Sequence, residues 1–161
     1  MESGGMGKPT TPVLRTGREP ARRPVEFSDR ASRLWVVIPY TTPELTRAAL
    51  SFAAAFGQGL GVCVQLIDVQ VVPYPCPLSQ PMVSREHSRH KLRELARQSG
   101  LPVRAELVYA RDQEEGFRHV LRPASLVLLA TSKRWWRTAE EKLARSLSRA
   151  GHSVAIMPQK A

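Results

Sequence analysis

Between Thr131 and Thr138 the chain reads Thr-Ser-Lys-Arg-Trp-Trp-Arg-Thr, which brings Lys133, Arg134 and Arg137 together with Trp135 and Trp136. Guanidinium groups form forked bonds to phosphate or carboxylate. An indole face can stack on a base or cover an apolar ligand. With the hydroxyls of Thr131 and Ser132 at its start, just ahead of a helical pattern, this stretch has the residue types of an anion site. The same types also suit a plain surface with solvated cations, or a protein interface, where Arg and aromatics are enriched.

Other chemistry-bearing residues are more scattered. His87 and His90 stand one helical turn apart, which is metal-ligand spacing, yet no third ligand accompanies them. They read as surface histidines, as do His119 and His152. Glu114 and Glu115 resemble a carboxylate pair, but acids in a first helical turn are accounted for by the helix dipole. Asp68 lies near the carboxyl end of a strand, where it reads equally as the one acid inside a cleft or as a plain strand-end residue. Cys63 falls in an apolar run and Cys76 in a proline-rich loop; two cysteines make no disulfide framework and match no zinc spacing. With no Ser-His-Asp or Cys-His grouping in a supporting context, no catalysis is expected.

The elements that must position these residues follow from periodicity. Residues 1–31 are rich in Pro, Gly, Ser, Thr and Arg and show no strand or helix pattern. Such a segment buries too little apolar area to offset its ordering entropy, so a disordered basic tail is expected there, and one domain over 32–161. Leu34–Ile38 is a continuous apolar run, the pattern of a strand covered on both faces. Thr42-Pro43-Glu44 then supplies a cap, a proline and an acid for a helix whose stripe is Leu45, Ala48, Ala49, Phe52, Ala53 and Phe56. Strand patterns recur at 62–72, 103–109, 126–130 and 153–157. Helices opened by Ser84, Asp112 and Thr138 stand between them. Alternation of this kind predicts a three-layer α/β/α domain with an open, parallel, five-stranded sheet and right-handed crossovers.

Composition narrows the function. The formal charge of +10 invites a nucleic-acid reading. The charge is dispersed, however, and no recognition motif or interleaved aromatics accompany it, which argues against nucleic acid. No apolar run approaches the roughly 18 residues of a membrane span, and the first residues lack a secretory core. A soluble, cytoplasmic protein is expected.

From Leu34 to Met157 the order of elements resembles the universal stress protein family. A first strand ending in Ile38-Pro39 leads into a capped helix. Arg111-Asp112-Gln113-Glu114-Glu115 opens a short acid-capped helix, and Ala124-Ser125-Leu126-Val127-Leu128-Leu129-Ala130 is similar to the family's penultimate strand. The resemblance implies the adenine nucleotide alpha hydrolase-like fold, with strand order 3-2-1-4-5 counted from Leu34. It also implies a ligand crevice at the carboxyl ends of strands one and four.

In ATP-binding members an aspartate after strand one and a backbone position on strand two hold the adenosine. A glycine-rich loop after strand four holds the phosphates. Here the aspartate position falls on Thr41, followed by Thr42, and the adenine contact falls on Val69. The first two glycines fall on Thr131 and Arg134, and the final Gly-Ser pair on Glu140 and Glu141. A Cβ blocks close approach of phosphate, and two glutamates repel it. The expectation is a non-catalytic binding or regulatory domain with no ATP cofactor held in the family's usual manner, its nucleotide cleft plugged by Trp135 or Trp136. Two alternatives are a sensor of a nucleotide or other anion, using Lys133, Arg134 and Arg137, and a module associated with an amino-acid permease or a membrane surface. Family members pair through their last strand, which implies a homodimer whose edge carries Val154 and Ile156.

Overall fold

All five anticipated strands form, in one sheet, and helices cover both faces of its central strands. The computed structural model describes residues 14–20, 34–132 and 138–159. In chain order the elements are β1 (Leu14–Pro20), β2 (Trp35–Pro39), α1 (Pro43–Phe56), β3 (Cys63–Val71), α2 (Arg85–Ser99), β4 (Val103–Ala110), α3 (Gln113–Val120), β5 (Leu126–Thr131), α4 (Ala139–Arg149) and β6 (Ser153–Pro158). The sheet order is β1-β4-β3-β2-β5-β6. Pairings among β2 to β6 are all parallel, and without β1 their order is the expected 3-2-1-4-5.

β1 is a correction to the sequence reading. Leu14–Pro20, assigned above to a disordered tail, pairs antiparallel with β4, Leu14 opposite Tyr109 and Pro20 opposite Arg104, with an irregularity between Thr16 and Glu19. Strand addition at an edge draws on main-chain hydrogen bonds, so it needs no apolar periodicity. The rest of the expected tail lies outside the described residues.

Alternation along the strands divides the core in two. On one face α1 and α2 cover Ile38, Val64, Leu66, Leu107 and Tyr109 with Leu45, Leu50, Leu92 and Leu95. On the other, α3 and α4 cover Val37, Ile67, Val69, Val108 and Leu129 with Phe117, Val120, Leu143 and Leu147. Each fully buried side chain of this size contributes about 1.5–3 kcal/mol. Caps fix three helix starts: Leu45, Glu115 and Glu141 donate main-chain N–H groups to the side chains of Thr42, Asp112 and Thr138. Ser84 occupies the cap position of α2, but its hydroxyl makes no capping bond.

Gly57 ends α1 for a reason other than backbone freedom, since its φ is −82°. A Cβ there would stand 2.5 Å from Val62 Cγ2 and 2.8 Å from the Ala53 carbonyl oxygen. The glycine lets the returning chain cross close to the helix end.

Candidate functional site

The sheet opens at its centre. β2 pairs with β5 only through Val36–Leu126 and Val37–Val127, so the two strands separate toward their carboxyl ends. Their connections also leave in opposite directions, β2 into α1 on one face and β5 into α4 on the other. This is the switch point at which open α/β sheets bind ligands.

Of the residues singled out from sequence, Thr41, Thr42, Val69, Thr131 and Ser132 lie on, or shortly follow, the strands β2, β3 and β5 beside this opening. Thr41 and Thr42 form the turn after β2. The Thr42 hydroxyl accepts from Leu45 N–H at 3.2 Å, and the Thr41 N–H donates to the buried Thr46 hydroxyl at 3.3 Å, so the turn is fixed by its own side chains. Thr131 and Ser132 end β5 and are half-buried. The Thr131 carbonyl is occupied by the N–H of Gln159. Lys133, Arg134, Trp135, Trp136 and Arg137 lie outside the described residues, and with them the question of a tryptophan plug.

Val69 contributes its backbone. Main-chain groups of a strand alternate in direction. Val64 and Val72 donate toward β4, to Pro102 and Ala110, while the Ile67 carbonyl accepts from Tyr40 on the β2 side. By the same alternation Val69 directs its N–H and C=O toward the β2 side, two residues beyond the last β2 pairing, Pro39 with Ile67. Its side chain is committed to packing, since a Cβ on Gly116 of α3 would fall 2.4 Å from Val69 Cγ1. The backbone faces the opening and the side chain does not.

Asp68, weighed from sequence as a cleft acid or a strand-end residue, is engaged in internal bonding. It points to the α1/α2 face, is 5% exposed, and accepts from Gln70 Nε2 at 3.0 Å and Lys91 Nζ at 3.4 Å. Gln70 also donates to Ser88 Oγ at 2.8 Å. The Lys91 ammonium lies 3.7 Å from the centre of the Tyr40 ring, a cation–π contact at the rim of the opening. Deeper in the same layer, the Tyr109 hydroxyl is buried and has no hydrogen-bond partner among the described residues. Burial pushes the Tyr109 phenol above its ordinary pKa, against the opposing charge of Arg85.

Sequence reading missed Tyr40, Ser88, Lys91 and Tyr109. Helical spacing held a signal for two of them, because Ser88 and Lys91 lie four residues before Leu92 and Leu95 and so share their inward face. A further unanticipated feature closes the rim. Arg111 Nη1 donates to the carbonyls of Val72, Pro73 and Cys76 at 2.8–3.1 Å and so holds the loop after β3, with its guanidinium 4.2 Å from the Tyr74 ring centre.

Among the described residues no three His, Cys, Asp or Glu side chains come together as a metal site. His87 and His90 are exposed, Cys63 is buried and Cys76 is half-buried. No helix among the described residues is long and apolar enough to cross a membrane.

Comparison with solved structures matches this geometry to a known fold. The chain superposes on a universal stress protein from Archaeoglobus fulgidus with a TM-score of 0.54 and 14% identity, covering 76% of this chain and 92% of that one. A universal stress protein in complex with cAMP gives 0.52 and 10%, covering 81% and 100%. A protein of the universal stress protein family from Burkholderia pseudomallei gives 0.51 and 21%, covering 80% and 96%. The fold is that of the universal stress proteins. No protein-family model matches the chain, and no curated protein is similar to it. The antiparallel β1 stands outside the five-stranded order implied by the resemblance.

Proposed function

We propose that this protein is a non-catalytic, universal-stress-protein-like binding or regulatory domain of the cytoplasm. Its crevice at the β2/β5 switch point offers backbone contacts to a planar ligand, without the glycine loop that would cradle phosphates. The observation that carries this reading is the direction of the Val69 main chain, which faces the opening past the end of β2. One neighbour of the same fold is a complex with cAMP, which makes a cyclic nucleotide the first ligand to test here. The glycine positions of ATP-binding relatives are taken by Thr131, Arg134, Glu140 and Glu141, which supports exclusion of ATP in their manner.

Thermal unfolding with ATP, ADP and cAMP tests the reading. A ligand at a hundred times its dissociation constant adds about 2.7 kcal/mol. Stabilisation by cAMP but not by ATP is expected. Stabilisation by ATP, abolished in Arg134→Ala, would replace this reading with the anion sensor built on Lys133, Arg134 and Arg137. No shift with any nucleotide would favour a protein partner or the permease-associated alternative.

The same reading carries a homodimer through β6. This strand forms an open edge of the sheet, and Ile156 on it is 50% exposed. Exposed apolar edge strands invite pairing. Ile156→Glu is expected to yield monomer by light scattering, and an unchanged dimer mass would rule out this edge.

A further inference from the structure

A groove unrelated to the switch point runs between α3 and α4 on the opposite face of the sheet from α1 and α2. Its volume is about 520 Å³, and it is lined by Glu114, Arg118, Lys142, Arg145, Ser146 and Arg149, with Ala150 at its end. Four cations thus face one carboxylate. Lys142, Arg145 and Arg149 follow each other at three- and four-residue steps along α4, which stacks them in one stripe, and Arg118 answers them from α3.

Like charges one turn apart destabilise a helix. Surfaces commonly relieve this with interspersed acids. Here none of the four cations makes an ion pair or hydrogen bond among the described residues, although Glu114 lines the same groove. The contrast with Arg97 is direct, since that residue is held by Glu94 through two hydrogen bonds on α2.

We propose that the α3/α4 groove is a binding site for a small oligophosphate anion. Three guanidinium forks and an ammonium match several phosphate oxygens at once. A volume of this size suits a small ligand, within the range of about 300–1,000 Å³ usual for such sites. A concave, polar lining of this kind suits a compact polyanion better than a flat membrane. The site is independent of the crevice, because no residue lining it contributes to the β2/β5 opening.

Inorganic tripolyphosphate is the probe, because it carries the charge and lacks the nucleoside that the crevice would recognise. Calorimetric titration of the full chain is expected to show saturable one-site binding that weakens as salt is raised. Arg118→Gln and Arg145→Gln are each expected to lower affinity about tenfold, the loss of one charge-assisted hydrogen bond. Arg47→Gln removes an exposed cation from α1, on the other helical layer, and is expected to change nothing. Absence of binding would overturn the proposal, as would affinity unchanged in both groove variants or an equal loss in Arg47→Gln. Tighter binding of a short DNA duplex than of tripolyphosphate at the same salt would also overturn it, because the groove would then be part of a nucleic-acid surface. All three positions are exposed, so the variants are expected to keep the parent melting temperature, which the same samples verify.

Discussion

The two helical layers of this domain cover the same sheet and treat charge in opposite ways. Beneath and along α2, polar groups find partners within the protein: Asp68 with Gln70 and Lys91, Gln70 with Ser88, Lys91 with Tyr40, and Glu94 with Arg97 and Gln98. Along α3 and α4 the apolar stripes are buried just as completely, yet Arg118, Lys142, Arg145 and Arg149 remain without counterions among the described residues. The difference follows from depth. A charge brought under a helix must be compensated on the spot or its desolvation cost stands. A charge on a groove wall stays hydrated and can wait for an external anion. The α1/α2 layer pairs the charge of Asp68 internally, though it leaves the buried Tyr109 hydroxyl without a partner among the described residues, and the cations of the α3/α4 groove are turned outward.

The largest effect expected from testing this contrast concerns packing. α3 has eight residues and anchors its part of the core chiefly through Phe117, which is fully buried, and Val120. Phe117→Ala is expected to cost about 4 kcal/mol, and Leu92→Ala in the fifteen-residue α2 about 3 kcal/mol. Urea midpoints measured with an unchanged dependence on denaturant check both values. If Leu92→Ala proved the costlier, the outward-facing layer would be the better anchored of the two.

Next in size is the cost of removing charge itself. Asp68→Ala strips Lys91 and Gln70 of an acceptor that is 5% exposed, and is expected to destabilise by about 2 kcal/mol. Arg118→Ala removes an exposed cation that has no partner among the described residues and is expected to lie within about 0.5 kcal/mol of the parent, in either direction. Equal costs for the two variants would erase the distinction between the paired Asp68 and the Arg118 cation on the groove wall.

How far the sequence foretold this molecule depends on what each feature rests upon. Strands β2 to β6 and all four helices were legible because apolar runs and 3.6-residue stripes record burial directly, and Thr42, Asp112 and Thr138 record caps. β1 left no such mark, since edge pairing through Leu14–Pro20 uses main-chain groups and not an apolar pattern. The strand order, and with it the place of the switch point, was implied by the resemblance to the universal stress proteins. The fate of Asp68 was not, because its compensation depends on Lys91, more than twenty residues away on a separate helix. The α3/α4 groove was hidden for a related reason. Its cations come from two separate helices, and in one dimension they merge into the dispersed charge of +10.

The smallest expected effect lies at the solvent edge of the α1/α2 layer. The Glu94 carboxyl is held down to about 2 from an ordinary value of 4.5, first by hydrogen bonding from Arg97 and then from Gln98. A carboxylate whose pKa is lowered by folding stabilises the folded state fully above the unfolded value, and that contribution is lost as the pH falls from about 4.5 toward 2. Because both partners stand in water, salt screens the pair and the net effect is slight. Glu94→Gln should therefore flatten the acid limb of the stability profile by a small amount below pH 4.5 and leave neutral stability near that of the parent. Carboxyl NMR titration of the parent gives the sharper reading. A Glu94 midpoint near 2 would show that α2 pairs its charges out to the surface, whereas a midpoint near 4.5 would confine the self-compensating chemistry to the buried Asp68 cluster.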